Sequence, residues 1–121
     1  MRHGARTILK DFPNDINKPV WDKYGMGQLL PIGMRQSREF GAYMAKKYAS
    51  FLNPVYSASR VFARSTDYDR TLQTVLTFLA GMYKPSKDQA WTDEPDLAGY
   101  MPIPVRTNKL SSDDVIPNES N

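Results

Sequence analysis

Two amphipathic helical patterns on either side of one short apolar strand constrain the fold of this chain more than any other feature. In residues 33–52, apolar side chains recur at steps of three and four, which is the spacing of one helix face. The same spacing returns in residues 72–82, and residues 61–63 between the two patterns predict a buried strand. Because helix and strand alternate, the sequence predicts an α/β domain with a mainly parallel sheet and flanking helices.

The ends of these elements also follow from the sequence. Pro54 should stop the first helix, because proline disfavours the helical conformation of the residue before it. Thr66 and Asp69 have the spacing of a capping box at the start of the second helix. Residues 7–33 are rich in turn-forming residues and predict a long loop, whereas the two prolines within residues 101–106 predict an extended segment at a sheet edge.

Composition excludes several classes of protein. The chain has 121 residues, 24% of them charged and 40% hydrophobic, which indicates one soluble globular domain rather than a disordered chain. The net charge is +3 and the basic residues are scattered, so no nucleic-acid partner is predicted. No apolar run approaches the length of a membrane span. Cysteine is absent and none of the usual ligand spacings occurs, so the sequence predicts no metal and no cofactor.

The chain begins with a short motif, residues 2–6, whose chemistry suits an anion. Arg2 and Arg6 carry planar, permanently charged forks that match phosphate oxygens. Gly4 allows the backbone to approach a ligand closely. His3, between the arginines, can act as a nucleophile when its imidazole is neutral. These residues predict a site for attack on a phosphoryl group, although a pentapeptide of this kind also fits a basic tip on a terminal segment.

A third arginine, Arg64, follows the predicted strand and precedes the second helix. Ligands of α/β domains bind at the carboxyl ends of strands, so Arg64 is expected to join Arg2, His3 and Arg6 around one point. A phosphate would be well held there by bidentate arginine contacts and a helix N-terminus. Arg70 has a simpler explanation, which is an ion pair with one of the neighbouring aspartates.

Four segments in this order resemble the histidine acid phosphatases, and most closely their prostatic and lysosomal branch. They are the Arg-His-Gly-Ala-Arg motif at residues 2–6, the approach to the first long helix at 27–34, the arginine-containing stretch at 61–71, and the Pro-Ile-Pro-Val segment at 102–105. The similarity covers nearly the whole chain. We therefore expect residues 1–116 to be the N-terminal part of a histidine acid phosphatase domain, followed by a frayed tail at residues 117–121.

The resemblance implies a fold and an activity. The fold would be an incomplete three-layer sandwich of the phosphoglycerate-mutase-like type. The activity would be hydrolysis of phosphate monoesters at acid pH, with His3 as the nucleophile that becomes phosphohistidine. Arg2, Arg6 and Arg64 would hold the phosphate of a small phosphorylated substrate, without metal or cofactor. Relatives of this branch are lysosomal, secreted or membrane-attached, and a homo-oligomer is compatible with the scheme.

Two departures from the family pattern bear on activity. The family usually has proline two places after the second arginine of the motif, where this chain has Ile8. The family also completes its site with a downstream His-Asp pair, whose aspartate protonates the leaving group, and this chain has no histidine besides His3. The expected activity is therefore weak or absent. The alternatives are a non-catalytic phosphate-binding or interaction module and a mutase of the same superfamily.

Overall fold

A computed structural model describes residues 1–10 and 12–107. In this part of the chain the elements are helix α1 (Lys18–Tyr24), helix α2 (Pro31–Lys47), strand β1 (Ala63–Ser65), helix α3 (Asp69–Met82), a 3₁₀ turn (Lys87–Gln89) and strand β2 (Val105–Thr107). β1 and β2 pair in parallel, with Ala63 opposite Val105. The predicted α/β class with a parallel sheet is confirmed. The predicted tail, residues 117–121, lies outside the described residues.

Helices α2 and α3 pack against each other through reciprocal glycines. A Cβ atom placed on Gly41 of α2 would run into the carbonyl oxygen of Phe78, and one placed on Gly81 of α3 would run into that of Arg38. The two backbones therefore approach more closely than side chains on both helices would allow. Beside this contact the rings of Phe40 and Phe78 meet with their centroids 5.7 Å apart.

The core lies at the C-terminal end of α3, against the sheet. Leu79, Tyr83 and Ile103 are buried together, and Tyr56 meets the edge of the Tyr83 ring with centroids 6.1 Å apart. Burial of these side chains stabilises the position of α3 on the sheet. Arg70, Thr71 and Thr74, towards the N-terminal end of α3, are buried as well.

Two predicted element positions are wrong. The strand was expected at residues 61–63, but the N–H of Val61 still donates to the carbonyl oxygen of Ser57 at 2.9 Å, so a turn occupies this position and β1 begins at Ala63. Phe62 is 74% exposed, which also rules out a buried strand there. The capping box is not formed, because the hydroxyl of Thr66 donates to the hydroxyl of Thr71 and the helix begins at Asp69.

The other differences concern helix length and a short helix. α2 ends at Lys47, and residues 48–52 continue as turns in which the N–H of Leu52 donates to the carbonyl oxygen of Tyr48 at 2.8 Å. The predicted loop at residues 7–33 contains α1, which has seven residues, none of them buried, and so has no apolar stripe in the sequence. The extended segment at 101–106 is confirmed for its last two residues, which belong to β2.

None of the helices in the described ranges is long and apolar enough to cross a membrane.

The close helix contact gives a stability prediction. Replacing Gly41 by alanine should lower the free energy of unfolding by about 2 kcal/mol, because the added methyl group forces α2 and α3 apart. The matched control is Gly99→Ala, where an added Cβ meets nothing within 4 Å and the change should stay within about 0.5 kcal/mol. Urea unfolding of the two variants checks this, and equal stabilities would contradict the packing described here.

Candidate active site

The N-terminal segment, residues 2–8, is held in place by pairing with residues 25–30. Thr7 is fully buried, and its N–H donates to the carbonyl oxygen of Gln28 at 2.9 Å. In return the N–H of Gln28 donates to the Thr7 hydroxyl at 2.9 Å, and this hydroxyl donates to the carbonyl oxygen of Gly25 at 2.6 Å. The turn that brings these groups together has positive φ at Gly25 and Gly27, a backbone conformation that glycine adopts without strain. Two short segments without regular structure thereby become one fixed unit.

Gly4 fastens this unit to both long helices. Its N–H donates to the hydroxyl of Thr74 on α3 at 3.1 Å. On its other side it lies directly against the backbone of Gly33, near the start of α2, with no room for a Cβ atom. The glycine that the sequence motif supplies is therefore required by a close approach of three backbone segments.

The imidazole of His3 has a defined tautomer. Its Nδ1 lies 2.8 Å from the carbonyl oxygen of Gly4, and a carbonyl oxygen can only accept, so Nδ1 carries the hydrogen. In the neutral ring Nε2 then bears the lone pair. The Nε–H of Arg6 points at this atom from 3.4 Å. His3 thus presents a nucleophilic nitrogen towards a cationic side chain.

Arg6 belongs to a cluster of like charges, the arginine cluster formed by Arg2, Arg6 and Arg70. Burial lowers the pKa of Arg6, and the charges of Arg70 and Arg2 lower this pKa further. Arg6 is anchored by its Nη1, which donates to the carbonyl oxygen of Thr7 at 2.7 Å. Arg70 is only 8% exposed and stacks on the ring of Tyr68, with 4.4 Å from Cζ to the centroid.

Arg64 was also expected to join Arg2, His3 and Arg6, and this expectation stays a prediction. Arg64 is the middle residue of β1, opposite Arg106 of β2, and its side chain is exposed. The charges that lower the pKa of Arg6 come from Arg70 and Arg2, and Arg64 is not among them. The strand ends one residue after Arg64 rather than one residue before it, which moves this arginine away from the expected position at the strand end.

Arg70 is the site residue that the sequence analysis explained differently. The predicted ion pair with Asp67 or Asp69 is not formed, since the carboxylate of Asp69 accepts from the amide of Gln28 at 3.2 Å. The Nε–H of Arg70 is buried and has no acceptor among residues 1–10 and 12–107. A buried donor without a partner is costly, so this group points to an anion as its missing partner. The signal in the sequence that could have indicated Arg70 as an anion ligand was its position in the first turn of a predicted helix.

The N-terminal segment lines an open cavity of about 380 Å³. Arg2, His3 and Arg6 are among its lining residues, and Arg70 at the start of α3 is near enough to Arg6 for its charge to contribute to lowering the pKa of Arg6. Positive charge, fork-shaped donors and a helix N-terminus together favour a phosphoryl group. Within residues 1–10 and 12–107, no cluster of three histidine, aspartate or glutamate side chains could hold a metal ion.

Comparison with known proteins identifies the family of the chain. The sequence model of the histidine phosphatase superfamily (branch 2) matches residues 1–115. Prostatic acid phosphatase of Bos taurus is 42% identical over 116 residues, and the match covers 95% of this chain and 29% of that protein. Lysosomal acid phosphatase of Xenopus laevis is 37% identical over 116 residues, covering 95% of this chain and 26% of that protein.

The chain therefore belongs to the histidine phosphatase superfamily, branch 2. The resemblance inferred from the four sequence segments is confirmed, and the relatives that carry it are acid phosphatases. The chain spans less than a third of the length of these relatives.

The tautomer of His3 can be tested directly, because the chain contains a single histidine. In a ¹⁵N-edited NMR spectrum of neutral protein, Nδ1 should show the shift of a protonated nitrogen and Nε2 that of a bare nitrogen, since the carbonyl oxygen of Gly4 fixes the hydrogen on Nδ1. The opposite pattern, with hydrogen on Nε2, would contradict the described geometry.

Proposed function

We propose that the chain binds the phosphoryl group of a phosphate monoester between Arg2, Arg6 and Arg70, and that Nε2 of His3 accepts this group. The observation that carries the proposal is the Nδ1–H of His3 bound to the Gly4 carbonyl, which leaves the Nε2 lone pair among cationic donors. The reaction class is the acid phosphatase reaction of the relatives. The fold that supports it is part of a three-layer phosphoglycerate-mutase-like sandwich.

Phosphate binding satisfies donors that the protein leaves without good acceptors. The buried Nε–H of Arg70 gains a phosphate oxygen as its partner. Arg6 turns its Nε–H from Nε2 of His3, where the contact of 3.4 Å is long, to an anionic oxygen. The same movement frees the lone pair of Nε2 for reaction. A dianion between the guanidinium groups also removes the repulsion that lowers the pKa of Arg6.

The chemistry then proceeds in two steps. The lone pair of Nε2 forms an N–P bond while the ester P–O bond breaks, and the electrons of the P–O bond leave with the oxygen of the leaving group, which then takes a proton from the acidic solvent. Water next attacks phosphorus and gives a proton to the solvent, the electrons of the N–P bond return to Nε2, and inorganic phosphate and free His3 are released. The arginine cluster stabilises the charge on the equatorial oxygens in both transition states.

The leaving group determines which esters react. His3 is the only histidine of the chain, so the His-Asp pair that the family resemblance implies is not supplied by it. The residues that line the cavity, 2–8, include no carboxyl group, so the departing oxygen receives no proton from them and leaves as an anion. Aryl phosphates, whose leaving groups are stable anions, are therefore the substrates that this chain can cleave, and alkyl phosphates are bound without reaction.

A chemical trapping experiment tests the proposal. The chain is mixed with p-nitrophenyl phosphate at acid pH, and the released p-nitrophenol is compared with phosphate that stays on the protein in base-stable, acid-labile form. We expect up to one phosphate per chain, at His3, and about 10²-fold or greater loss of the reaction in His3→Ala, because the nucleophile is removed.

Glycerol phosphate is the matched poor substrate for this experiment and should give no turnover. Binding of inorganic phosphate without any phosphohistidine would reject catalysis and leave the alternative, a phosphate-binding module. Equal p-nitrophenol release by the chain and by His3→Ala would show that His3 is not the nucleophile.

The choice between Arg70 and Arg64 gives a second test. Phosphate at about 100 times its Kd should stabilise the chain by about 2.7 kcal/mol. Arg70→Met should lose most of this gain, because the variant keeps the length and packing of the side chain but removes the charged donors. Arg64→Met, an equal change of charge at an exposed strand position, should keep it. Thermal melts with and without phosphate measure both, and the reverse ranking would reject Arg70 as a ligand.

A further inference from the structure

Gln28 joins three parts of the site. Its backbone exchanges hydrogen bonds with Thr7 in the N-terminal segment, with both N···O distances at 2.9 Å. Its side-chain Nε2–H donates to Oδ2 of Asp69, the first residue of α3, at 3.2 Å. One residue therefore connects the segment that carries His3 and Arg6 with the helix turn that carries Arg70.

The same turn also lies against the guanidinium group of Arg70. A Cβ atom on Gly27, which precedes Gln28, would lie 3.5 Å from Nη1 of Arg70. The ring of Tyr68 contacts the guanidinium from 4.4 Å. The direction of the Arg70 side chain thus depends on the position of the turn at residues 25–28 relative to the start of α3. The hydrogen bond from Gln28 to Asp69 fixes the distance between this turn and the helix.

A restraint is needed here because the arginine cluster repels itself. Arg6 and Arg70 are both cations, and the pKa of Arg6 is lowered first by its burial and then by the charge of Arg70. Arg70 is bound neither to Asp67 nor to Asp69, so no ion pair draws it inwards. Left to itself, a long cationic side chain in this situation would swing towards solvent.

We propose that Gln28 is a positioning residue that acts through Asp69 to hold Arg70 beside Arg6, so that the arginine cluster is assembled before phosphate arrives. The inference rests on the proposed function in so far as it takes Arg70 to be a phosphate ligand. It adds that the affinity for phosphate depends on a hydrogen bond outside the arginine cluster, from the neutral amide of Gln28 to the carboxylate of Asp69. Preorganisation of this kind raises affinity because the ligand need not gather its own donors.

Three variants separate positioning from charge. Gln28→Met removes the hydrogen bond at constant charge and similar length. Gln28→Glu places a carboxylate against the carboxylate of Asp69. The double variant Gln28→Glu with Asp69→Asn reverses the polarity of the bond, with an amide donor on α3 and a carboxylate acceptor on the turn, and keeps the net charge of the chain. The matched control is Gln36→Met, an exposed glutamine on α2.

Two readouts are used on the full chain. The first is the Kd for inorganic phosphate by titration calorimetry. The second is the exchange rate of the Arg70 Nε–H with water by NMR, a signal assigned by its absence in Arg70→Met. In the wild-type chain this buried hydrogen should exchange slowly.

We expect Gln28→Met and Gln28→Glu to weaken phosphate binding by about ten-fold, the loss of roughly one hydrogen bond, and to make the Arg70 Nε–H exchange fast. The double variant should restore both readouts, and Gln36→Met should change neither. Unchanged affinity and exchange in Gln28→Met would overturn the proposal, and so would a double variant no better than Gln28→Glu. The comparison of the double variant with Gln28→Glu can be made even if Gln28→Met does not fold.

The outcome also separates this inference from the proposed function. If the wild-type chain shows no affinity for phosphate, the proposed function fails, and the exchange of the Arg70 Nε–H alone decides whether Gln28 positions the side chain. If phosphate binds to the wild-type chain and to Gln28→Met equally, the proposed function stands and the positioning role falls.

Discussion

The repulsion between the guanidinium groups of the arginine cluster is the constraint that the contacts around the cluster must satisfy. Arg6 and Arg70 lie close enough for the charge of one to lower the pKa of the other. Arginine is effectively always protonated in proteins. The repulsion between the guanidinium groups is therefore present at every pH in the phosphate-free chain. In this chain, hydrogen bonds and stacking hold members of the cluster: Arg6 donates to the Thr7 carbonyl and Arg70 stacks on Tyr68. A bound dianion would outweigh the repulsion by its attraction to each arginine.

α3 is the element that makes this possible. Its C-terminal half is buried against the sheet through Leu79 and Tyr83, and its contact with α2 through Gly41 leaves little freedom for sliding. The helix therefore transmits the rigidity of the core to its N-terminal turns, where Arg70, Thr71 and Thr74 are also buried. There the hydroxyl of Thr74 accepts from the N–H of Gly4, and the charge of Arg70 contributes to lowering the pKa of Arg6. One end of the helix thus packs in the core, and the other end carries a residue of the proposed site.

The sequence predicted those features that arise from periodicity over many residues. α2 and α3 were found because an apolar face repeats for several turns, and the chemistry of Arg2, His3 and Arg6 follows from residue type alone. α1 was missed because its seven residues, none of them buried, carry no apolar stripe. The position of Arg64 in the strand was predicted differently for a related reason. A shift of two residues in β1 moves a side chain from the strand end to the strand middle, and local propensity does not fix such a shift.

The position of the nucleophile also decides what this part of the chain can contribute to catalysis. In-line displacement places the leaving oxygen on the side of phosphorus opposite Nε2 of His3. The cavity is lined by residues 2–8, the continuous segment that carries His3 itself, and none of these residues has a carboxyl group. In the proposed reaction the arginines stabilise the charge on the phosphate oxygens and supply no proton to the departing oxygen. Phosphate binding and nucleophilic attack are therefore the steps to which the N-terminal segment and Arg70 would contribute, and leaving-group protonation is a separate step.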